Sequence, residues 1–474
     1  MAAEKDLIVA IELGSSSIRG IIGKKTTDGG IDILNIEQEI TSDCIRKGVV
    51  YNIDKTIQCL NRIIERLQES QDTYINKVYV GIGGKSLHTA KNSILKNLDD
   101  RVIITHEMVE ELLKENLSTS YPDSEILDVI PQEYRIGNGF TTEPVGIQSD
   151  QIEGNFLNVI ARNSVKENLI KCVKGTGRSV AGFYISSLAL AESLLADTEK
   201  RSGCALVDFG ADTTTVAIFK NNLLRHLAVI PLGGNNITHD IASKQIEFEE
   251  AEMLKLKFGL AYAENPDTDC PNKIAISNDR TIIGKELQEI VEARMEEIII
   301  NVWEQINNTK YCDKLMAGII ITGCAANIKN LEKAFVHYTN FDKLKCGRIV
   351  AAQTKTGSPE EKLLRDGKLN TLLSLFTKGS INCTGIDPTT LDEPENPIVL
   401  AGDAKAEDKG LDATKHEPVQ LQGIPEPMAV EEDNETAQEE EEKTMKEPKE
   451  KKPGWFSSAW SKIKEASKKI VEED

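Results

Sequence analysis

A short segment near the start of the chain, AIELGSSSIRG, combines an acid with residue types that bind phosphate. An apolar strand ends at Glu12, and the turn and strand after it carry Gly14, Ser15, Ser16 and Arg19. A glycine turn lets backbone N–H groups approach phosphate oxygens, while serine hydroxyls and a guanidinium add further donors. Taken alone, the segment fits either a phosphate loop or an ordinary β-hairpin turn.

A second segment, ALVDFGADTTTVAIF, repeats this order of strand, acid, glycine, hydroxyl residues and strand. Its acid is Asp208, and its glycine and hydroxyl residues are Gly210, Thr213 and Thr214. Two such turns can hold a polyphosphate from opposite sides. Mg²⁺ prefers one or two carboxylates together with water and phosphate oxygens. The pair of segments therefore predicts that Glu12 and Asp208 face each other and hold a hydrated Mg²⁺.

Two further segments are candidates for the rest of a ligand. In EEAEMLKLKFG, Glu252 and Lys255 share one helix face, which also fits a solvent-exposed ion pair. In AGIIITGCAANIKNL, a buried strand ends at Gly323, and a helix is predicted to begin near Asn327. Small residues at a strand end let a flat base approach the backbone, although an ordinary strand-to-helix turn has the same pattern.

The elements that must position these residues have the pattern of a mixed α/β protein. The strands LIVAIEL, IRGIIGK and IDILNIEQEI predict an antiparallel meander, followed by a helix at 53–67 and the buried strand KVYVGIGG. The same order returns in CALVDFG, TTVAIFK, LLRHLAVIPLGG, NNITHDIASKQ and AGIIITGC. The sequence thus predicts a duplicated fold. One insertion has a helix that begins after Thr105, and a second contains the amphipathic helix KELQEIVEARMEEIIINVWEQI.

These motifs resemble those of a known superfamily. The two acid-glycine-hydroxyl hairpins and the turn after 318–323 are similar to the phosphate and adenosine motifs of actin, Hsp70 and the sugar kinases. Within that superfamily, residues 7–377 resemble the FtsA family of bacterial cell-division proteins. The segments that carry the resemblance are VYVGIGGKSLHT, DVIPQEYRIGN, EPVGIQSDQIEG, VIPLGGNNITHDIA, AEMLKLKFG, EIVEARMEE and AGIIITGCAANI.

The resemblance implies an actin-like α/β architecture of four subdomains, with ATP and Mg²⁺ between two halves. It also implies head-to-tail filaments and docking of the C-terminal peptide of the tubulin-like protein FtsZ on the second insertion. The implied subdomains are 1A at 1–85 and 161–200, an SHS2-like 1C at 86–160, 2A at 201–240 and 309–382, and 2B at 241–308.

Roles carried over by position extend the candidate site. By this resemblance the two turns bind the phosphates, Glu252 and Lys255 bind the ribose, and Gly323 contacts the adenosine. Arg294 and Glu297 of EIVEARMEE lie where the FtsZ peptide docks, although an arginine paired with Glu297 on a helix surface is an equally good interpretation without the resemblance.

The chain departs from the family in its second turn, where Ala211 and Asp212 replace two glycines and Thr215 replaces an acid. A carboxylate in a phosphate turn repels the nucleotide unless it points away or joins the metal's water shell. Cys324 also replaces a glycine of the adenosine turn. We therefore expect ATP binding with weak or no hydrolysis, so that the nucleotide acts as a clamp.

Composition limits the remaining functions. The net charge of −20 argues against binding to nucleic acid, and neither a secretory signal nor an apolar run of 18 residues is present, which predicts a cytosolic protein. The nine cysteines have no metal-ligand spacing and are expected to be reduced and mostly buried.

After residue 383 the sequence predicts a disordered acidic linker at 383–452, in which residues 431–450 contain ten acids and three lysines. An amphipathic helix is predicted at 453–474, too short and charged to span a membrane but suited to an anionic lipid surface. Docking on a partner protein is the alternative. The predicted membrane-binding residues are Trp455, Phe456, Trp460, Lys462, Ile463, Lys464, Lys468 and Lys469.

Together these features predict an ATP-binding, actin-like division protein that polymerises on the cytoplasmic face of the bacterial inner membrane at the septum. It would tether the FtsZ ring there and help to recruit later division proteins. A metabolic kinase or an Hsp70-like chaperone ATPase of the same superfamily is the alternative. Neither has an obvious use for the predicted C-terminal helix.

Overall fold

The structure is a computed structural model that describes residues 6–26, 30–41, 43–276, 280–349, 352–353 and 366–385. All of these residues belong to one compact unit. The predicted acidic linker from residue 386 onward lies outside the described residues, as do the predicted helix at 453–474 and its membrane-binding residues.

The first half is built on a six-stranded sheet with the order β12-β7-β1-β2-β3-β20. Its centre is the predicted antiparallel meander, and β7 and β12 extend it in parallel beside β1. β1 is mostly buried, which explains its unbroken apolar sequence. The strands are β1 (Ile8–Leu13), β2 (Ser17–Lys25), β3 (Ile31–Ile40), β7 (Lys77–Ile82), β12 (Ser179–Ile185) and β20 (Ala352–Gln353), with short strands β4 (Ile45–Arg46), β5 (Val49–Val50) and β6 (Tyr74–Ile75).

Helices cover this sheet. The predicted helix is confirmed as α1 (Ile53–Gln71), which begins where the Asn52 side chain accepts a hydrogen bond from the N–H of Lys55. It ends at Asp72, whose backbone is left-handed. Its apolar face enters the core against β2 and β3. The other helices of this half before residue 203 are α3 (Asn163–Gly175), α4 (Ser186–Leu194) and α5 (Asp197–Ser202).

The second half repeats the arrangement, which confirms the predicted duplication. β13, β14 and β15 form an antiparallel meander, and β18 lies beside β13 in parallel, as β7 lies beside β1. The sheet order is β10-β9-β11-β8-β15-β14-β13-β18-β19. Its strands in this half are β13 (Cys204–Phe209), β14 (Thr214–Lys220), β15 (Leu223–Ile230), β18 (Ile319–Thr322) and β19 (Leu344–Cys346).

The first insertion contributes the other four strands of that sheet. Its helix α2 (His106–Leu117) begins as predicted at Thr105, whose side chain accepts the N–H of Met108. The insertion joins the second half where His88 pairs with Ala228. The strands are β8 (His88–Ile103), β9 (Ser124–Ile136), β10 (Gly139–Thr141) and β11 (Gln148–Arg162).

An ion pair between a buried arginine and a half-buried glutamate also holds the first insertion. Arg225 on β15 is only 6% exposed, and its Nη1 and Nη2 donate to the carboxylate of Glu133 on β9 at 2.9 and 2.6 Å. Such a fork of two parallel bonds fixes both distance and orientation. In sequence the first insertion lies within the first half. This ion pair nevertheless bonds it to the second half.

The second insertion is centred on the predicted amphipathic helix, confirmed as α9 (Gly284–Asn307). One face of α9 is buried from Leu287 to Ile306 and packs on α6 and α10. The remaining elements here are α6 (Gly234–Ala242), α7 (Phe248–Phe258), α8 (Pro266–Asp269), β16 (Ile274–Ala275) and β17 (Thr281–Ile282).

Two sequence-based boundaries differ from the structure. The helix predicted to start near Asn327 starts four residues later: a 3-10 turn occupies Cys324–Asn327, and α10 (Leu331–Thr339) begins after Asn330, whose φ is 61°. That left-handed residue interrupts the chain, so helical hydrogen bonding starts after it.

The last described segment returns to the first half instead of completing the second. α11 (Asn370–Thr377) packs on α4 and β1, and β21 (Thr384–Gly385) pairs with β6. The N–H of Cys383 donates to the carbonyl of Leu7 at 2.8 Å. This segment, which the domain prediction places with the second half, therefore contacts the first half, and the fold runs three residues into the predicted linker.

Cysteines and membrane spans complete the description. Five of the nine cysteines are buried, as expected for small apolar side chains. No helix within the described ranges has the length and apolar character needed to cross a membrane.

Replacing Arg225 with Met should lower the free energy of unfolding by about 2 kcal/mol, because Glu133 then lacks its partner in a partly buried site. Urea denaturation measures this. Arg135→Met on β9 is the control, since Arg135 pairs with Glu153 at an exposed position and should contribute less than about 1 kcal/mol. Equal losses in the two variants would contradict a special role for Arg225.

Candidate functional site

The two acid-glycine turns are structurally equivalent. Glu12 pairs across its hairpin with Arg19, and Asp208 pairs across its own with Thr215, seven residues later in each case. The N–H of Gly14 donates to the carbonyl of Ser17 at 3.1 Å, and the N–H of Gly210 to that of Thr213 at 2.8 Å. A Cβ on either glycine would lie within 2.8 Å of the same carbonyl oxygen. Each turn is therefore tight enough to require glycine.

The turns and their acids line one cavity of about 150 Å³. Burial, and then the charge of Glu12, raise the pKa of Asp208 to about 7. Burial also raises the pKa of Glu12, against the opposing charge of Arg19. Glu12 Oε2 is buried without a hydrogen-bond partner among the described residues. The structure thus brings the two predicted metal residues into one cavity where a cation would relieve both charges.

A divalent cation fits this donor set. The described residues contain no cluster of three or more histidine, cysteine or acidic side chains arranged for a metal. Two carboxylates leave most of a Mg²⁺ coordination shell to water and phosphate oxygens, which is the usual pattern for nucleotide-bound Mg²⁺. A metal at these two carboxylates would therefore be held mainly through its ligand.

Arg19 connects the two halves across this cavity. Its Nη1 donates to the carbonyl of Lys368 at 3.0 Å and lies 3.8 Å from Glu12, while its Nη2 donates to Cys324 Sγ at 3.7 Å. Burial raises the pKa of the Cys324 thiol, which is therefore neutral. A phosphate would compete with these neighbours for the guanidinium.

A second cavity, of about 280 Å³, adjoins the first and contains the predicted ribose residues. Lys255 Nζ lies 2.6 Å from Glu252 and donates to the carbonyl of Gly234 and to Thr238 Oγ1, at 3.1 and 2.9 Å. Glu252 and Lys255 thus form an ion pair, and both line this cavity, while their role at a ribose stays a prediction. The residues that line both cavities are Ser16, Arg19, Ala211, Cys324 and Lys368.

Two predicted contacts are placed differently. Thr214 is fully buried and donates to the carbonyl of Leu232 at 2.9 Å, so the prediction that it binds the nucleotide is wrong. Alternate residues of a strand face opposite sides, and Thr213 and Thr215 line the cavity instead.

Gly323 also differs from its predicted role at the base. It lines the carboxylate cavity but not the second one, and a side chain there would collide with Asp208 Oδ1 and the carbonyl of Phe209. Its φ of 98° strains any residue with a Cβ. Gly323 therefore positions Asp208, and Cys324 with Ala325 faces the second cavity.

Sequence reasoning missed several lining residues. Lys368 comes from the loop before α11, and no local pattern indicates that this loop reaches the site. The sequence does indicate a turn at Gly48, because Lys47 and Gly48 separate two short β segments. It does not indicate that the tip of this β4–β5 hairpin reaches the cavity. Ser187 in the first turn of α4 has a buried hydroxyl with no hydrogen-bond partner among the described residues.

The predicted peptide-binding residues lie away from both cavities. Arg294 on α9 donates through Nε and Nη2 to Asp240 at 2.6 and 2.9 Å, and it also pairs with Glu297. The pairing with Glu297 agrees with the sequence-based alternative, whereas the Asp240 partner on α6 was not predicted.

Asp208→Asn should stabilise the nucleotide-free protein more at pH 7.5 than at pH 4.5. The folded pKa of about 7 exceeds the ordinary value of about 3.9, so the unfolded chain releases a proton that the folded one keeps. Stability due to this group therefore falls as the pH rises from about 4 to about 7. Thermal melting across this range measures the effect, expected as a few degrees, with Asp313→Asn on an exposed turn as control. A pH-independent gain would contradict the assignment.

Comparison with known proteins gives the family. A profile described as "Cell division protein FtsA" matches residues 205–374, and one described as "SHS2 domain inserted in FTSA" matches residues 84–160. Cell division protein FtsA of Porphyromonas gingivalis is 31% identical over 340 residues, which are 70% of this chain and 71% of that protein. Cell division protein FtsA of Pseudomonas aeruginosa is 30% identical over 323 residues, 67% and 77% of the two chains.

A solved structure agrees in fold. The PilM-PilN type IV pilus biogenesis complex is similar with a TM-score of 0.55 at 12% identity, covering 78% of this chain and 98% of that chain. Such low identity concerns the fold alone. The fold class predicted from the sequence, an actin-like α/β duplication with an SHS2 insertion, is confirmed. By its sequence relatives and both profiles, the chain belongs to the family of the cell division protein FtsA.

Proposed function

We propose that this cell-division protein binds ATP with Mg²⁺ between its two halves and hydrolyses it weakly or not at all. The observation that carries the proposal is the pair of buried acids, Glu12 and Asp208, set between two equivalent glycine turns. A metal-bound polyphosphate would offset the burial that raises the pKa of both acids, and it would give a partner to the oxygen of Glu12 that accepts no hydrogen bond from the described residues.

Residue roles follow from the cavities. The N–H groups and hydroxyls of Gly14, Ser15, Ser16, Gly210 and Thr213 would receive the phosphates, and Arg19 would add a positive charge. Mg²⁺, held by the two acids through water, would neutralise phosphate charge. The second cavity would take the nucleoside, with Glu252 and Lys255 at the ribose. Slow turnover fits the cavity lining, which among the described residues includes no histidine and no carboxylate other than the two acids.

The wider function rests on the family and on the C-terminal sequence. The chain would form head-to-tail filaments on the cytoplasmic face of the inner membrane at the septum and tether FtsZ through its C-terminal peptide. The residues at 453–474 would bind anionic lipid, with Trp455 and Trp460 as apolar wedges. One such helix binds marginally, and a filament supplies avidity. Membership in the family leaves no basis for the kinase and chaperone alternatives.

The face for the FtsZ peptide would include Arg294 and Glu297. Arg294 is already paired with two carboxylates, Asp240 and Glu297. An acidic peptide would therefore have to replace one of them at the guanidinium. This exchange predicts moderate affinity, since a bound pair is lost for each pair gained.

Purified protein should bind ATP in the presence of Mg²⁺, and EDTA should weaken the binding. Lys255→Ala should weaken it about tenfold, because it removes a charged donor at the second cavity. Isothermal titration measures both effects, with Lys257→Ala on the same helix but outside the cavity as control. Rapid steady turnover would contradict the clamp role, and unchanged affinity in Lys255→Ala would contradict the ribose assignment.

Co-sedimentation with anionic liposomes tests the tether. The full chain should bring FtsZ down with the lipid, whereas a chain ending at Pro448 should leave both in the supernatant. Trp455→Ala with Trp460→Ala should act like the truncation, because the apolar face is lost.

Arg294→Ala supplies the matched arm of this experiment. It should retain lipid binding but lose most of the FtsZ. If the truncated and full chains brought FtsZ down equally, the tether proposal would fail.

A further inference from the structure

Asp212, which stands where the resembled family has a glycine, points away from both cavities. Its neighbours Ala211 and Thr213 line the phosphate cavity, but Asp212 does not. Its Oδ2 instead accepts the backbone N–H of Lys47 at 3.0 Å, and its Oδ1 accepts the side-chain N–H of Asn235 at 2.7 Å. The carboxylate thus lies between a residue of the first half and a residue of the second.

On the first-half side, the contact is made by a rigid hairpin tip. Lys47 and Gly48 form the turn between β4 and β5 with φ values of 48° and 73°. The N–H of Gly48 donates to Ser15 Oγ at 2.9 Å, and the carbonyl of Lys47 accepts the N–H of Lys85 at 3.0 Å. The tip is therefore bonded to the first phosphate turn, through Ser15, and to the loop after β7.

On the second-half side, the carboxylate is fixed by α6. Asn235 lies in the first turn of that helix, and its N–H donates to the carbonyl of Ala211 at 2.7 Å. Its side chain then holds Asp212 Oδ1. Both oxygens of Asp212 are therefore directed by backbone-anchored groups, which leaves the side chain little freedom to turn into the phosphate cavity.

We propose that Asp212 is a positioning residue that ties the two phosphate turns together through the β4–β5 hairpin and thereby slows nucleotide exchange. The inference rests on the proposed nucleotide function. A continuous path of hydrogen bonds runs from Ser15 through Gly48 and Lys47 to Asp212 and Asn235. Separation of the turns, which release of the phosphates requires, breaks the bond between Lys47 and Asp212.

The charge of Asp212 gives this bond its strength. A hydrogen bond to an ionised acceptor is about twice as strong as one between neutral groups. The donor is a backbone N–H, so the contact does not depend on the exposed lysine side chain. Inside the cavity the carboxylate of Asp212 would repel phosphate. Outside the cavity it instead holds the two phosphate turns together.

Stopped-flow release of fluorescent ADP from the full-length protein with Mg²⁺ tests the inference. Asp212→Ala should release ADP about tenfold faster than the unchanged chain, and Asp212→Asn should lie between them because one neutral acceptor remains. Lys47→Asn is the matched control: asparagine tolerates the left-handed backbone and keeps the N–H. It should release ADP at the original rate, as should Asp313→Asn.

Amide hydrogen exchange without nucleotide separates this inference from the proposed function. The segment 44–50 should exchange faster in Asp212→Ala than in the unchanged chain. If hydrogen exchange in this segment were faster but ADP release were unchanged, the contact between Lys47 and Asp212 would exist without retaining nucleotide. If hydrogen exchange were unchanged, the contact would not hold the hairpin in solution. Either result overturns the inference. If the unchanged chain bound no nucleotide, the proposed function itself would fail and the tie would have nothing to retain.

Discussion

The removal of two carboxylates from water is the constraint on which the candidate site depends. Glu12 and Asp208 come from different halves, yet both lie in one small cavity where burial disfavours their charges. Removing a carboxylate from water costs on the order of several kcal/mol. For Glu12, the guanidinium of Arg19 at 3.8 Å offsets part of this cost. The protein keeps the two acids in place with tight glycine turns and with Gly323, whose missing side chain leaves room for Asp208. Under the proposed function, a cation and its anionic ligand would offset this cost, and their binding would therefore stabilise the fold.

Much of this arrangement could be predicted because duplication repeats a local pattern. Strand, acid, glycine and hydroxyl recur in the same order, and antiparallel register then fixes Glu12 opposite Arg19 and Asp208 opposite Thr215. Side chains alternate between the two faces of a strand, so Thr214 and its neighbours must face opposite sides. Which of them is buried follows only once it is known which face of the strand is buried. α11 and Lys368 could not be placed, since their contacts depend on tertiary packing across more than 300 residues from the first turn.

Two of the departures from the family pattern share a physical feature. Cys324 accepts a hydrogen bond from Arg19, and Asp212 accepts one from the N–H of Lys47 in the β4–β5 hairpin. Each of these hydrogen bonds crosses the gap between the two halves, which a nucleotide would otherwise bridge. A site rich in glycine relies on its ligand for closure, whereas these side chains make part of the closure without it. That agrees with a nucleotide that is retained as a clamp.

The first insertion extends the same argument to the rest of the molecule. It contacts the first half where Lys166 on α3 lies 3.4 Å from Glu125, and the second half through Arg225 and Glu133. Its sheet also continues into β15 through His88. The halves are therefore connected at the phosphate turns and again through the insertion. Because packed interfaces shift between discrete arrangements and do not deform continuously, a change in the gap at one connection must be accommodated at the other.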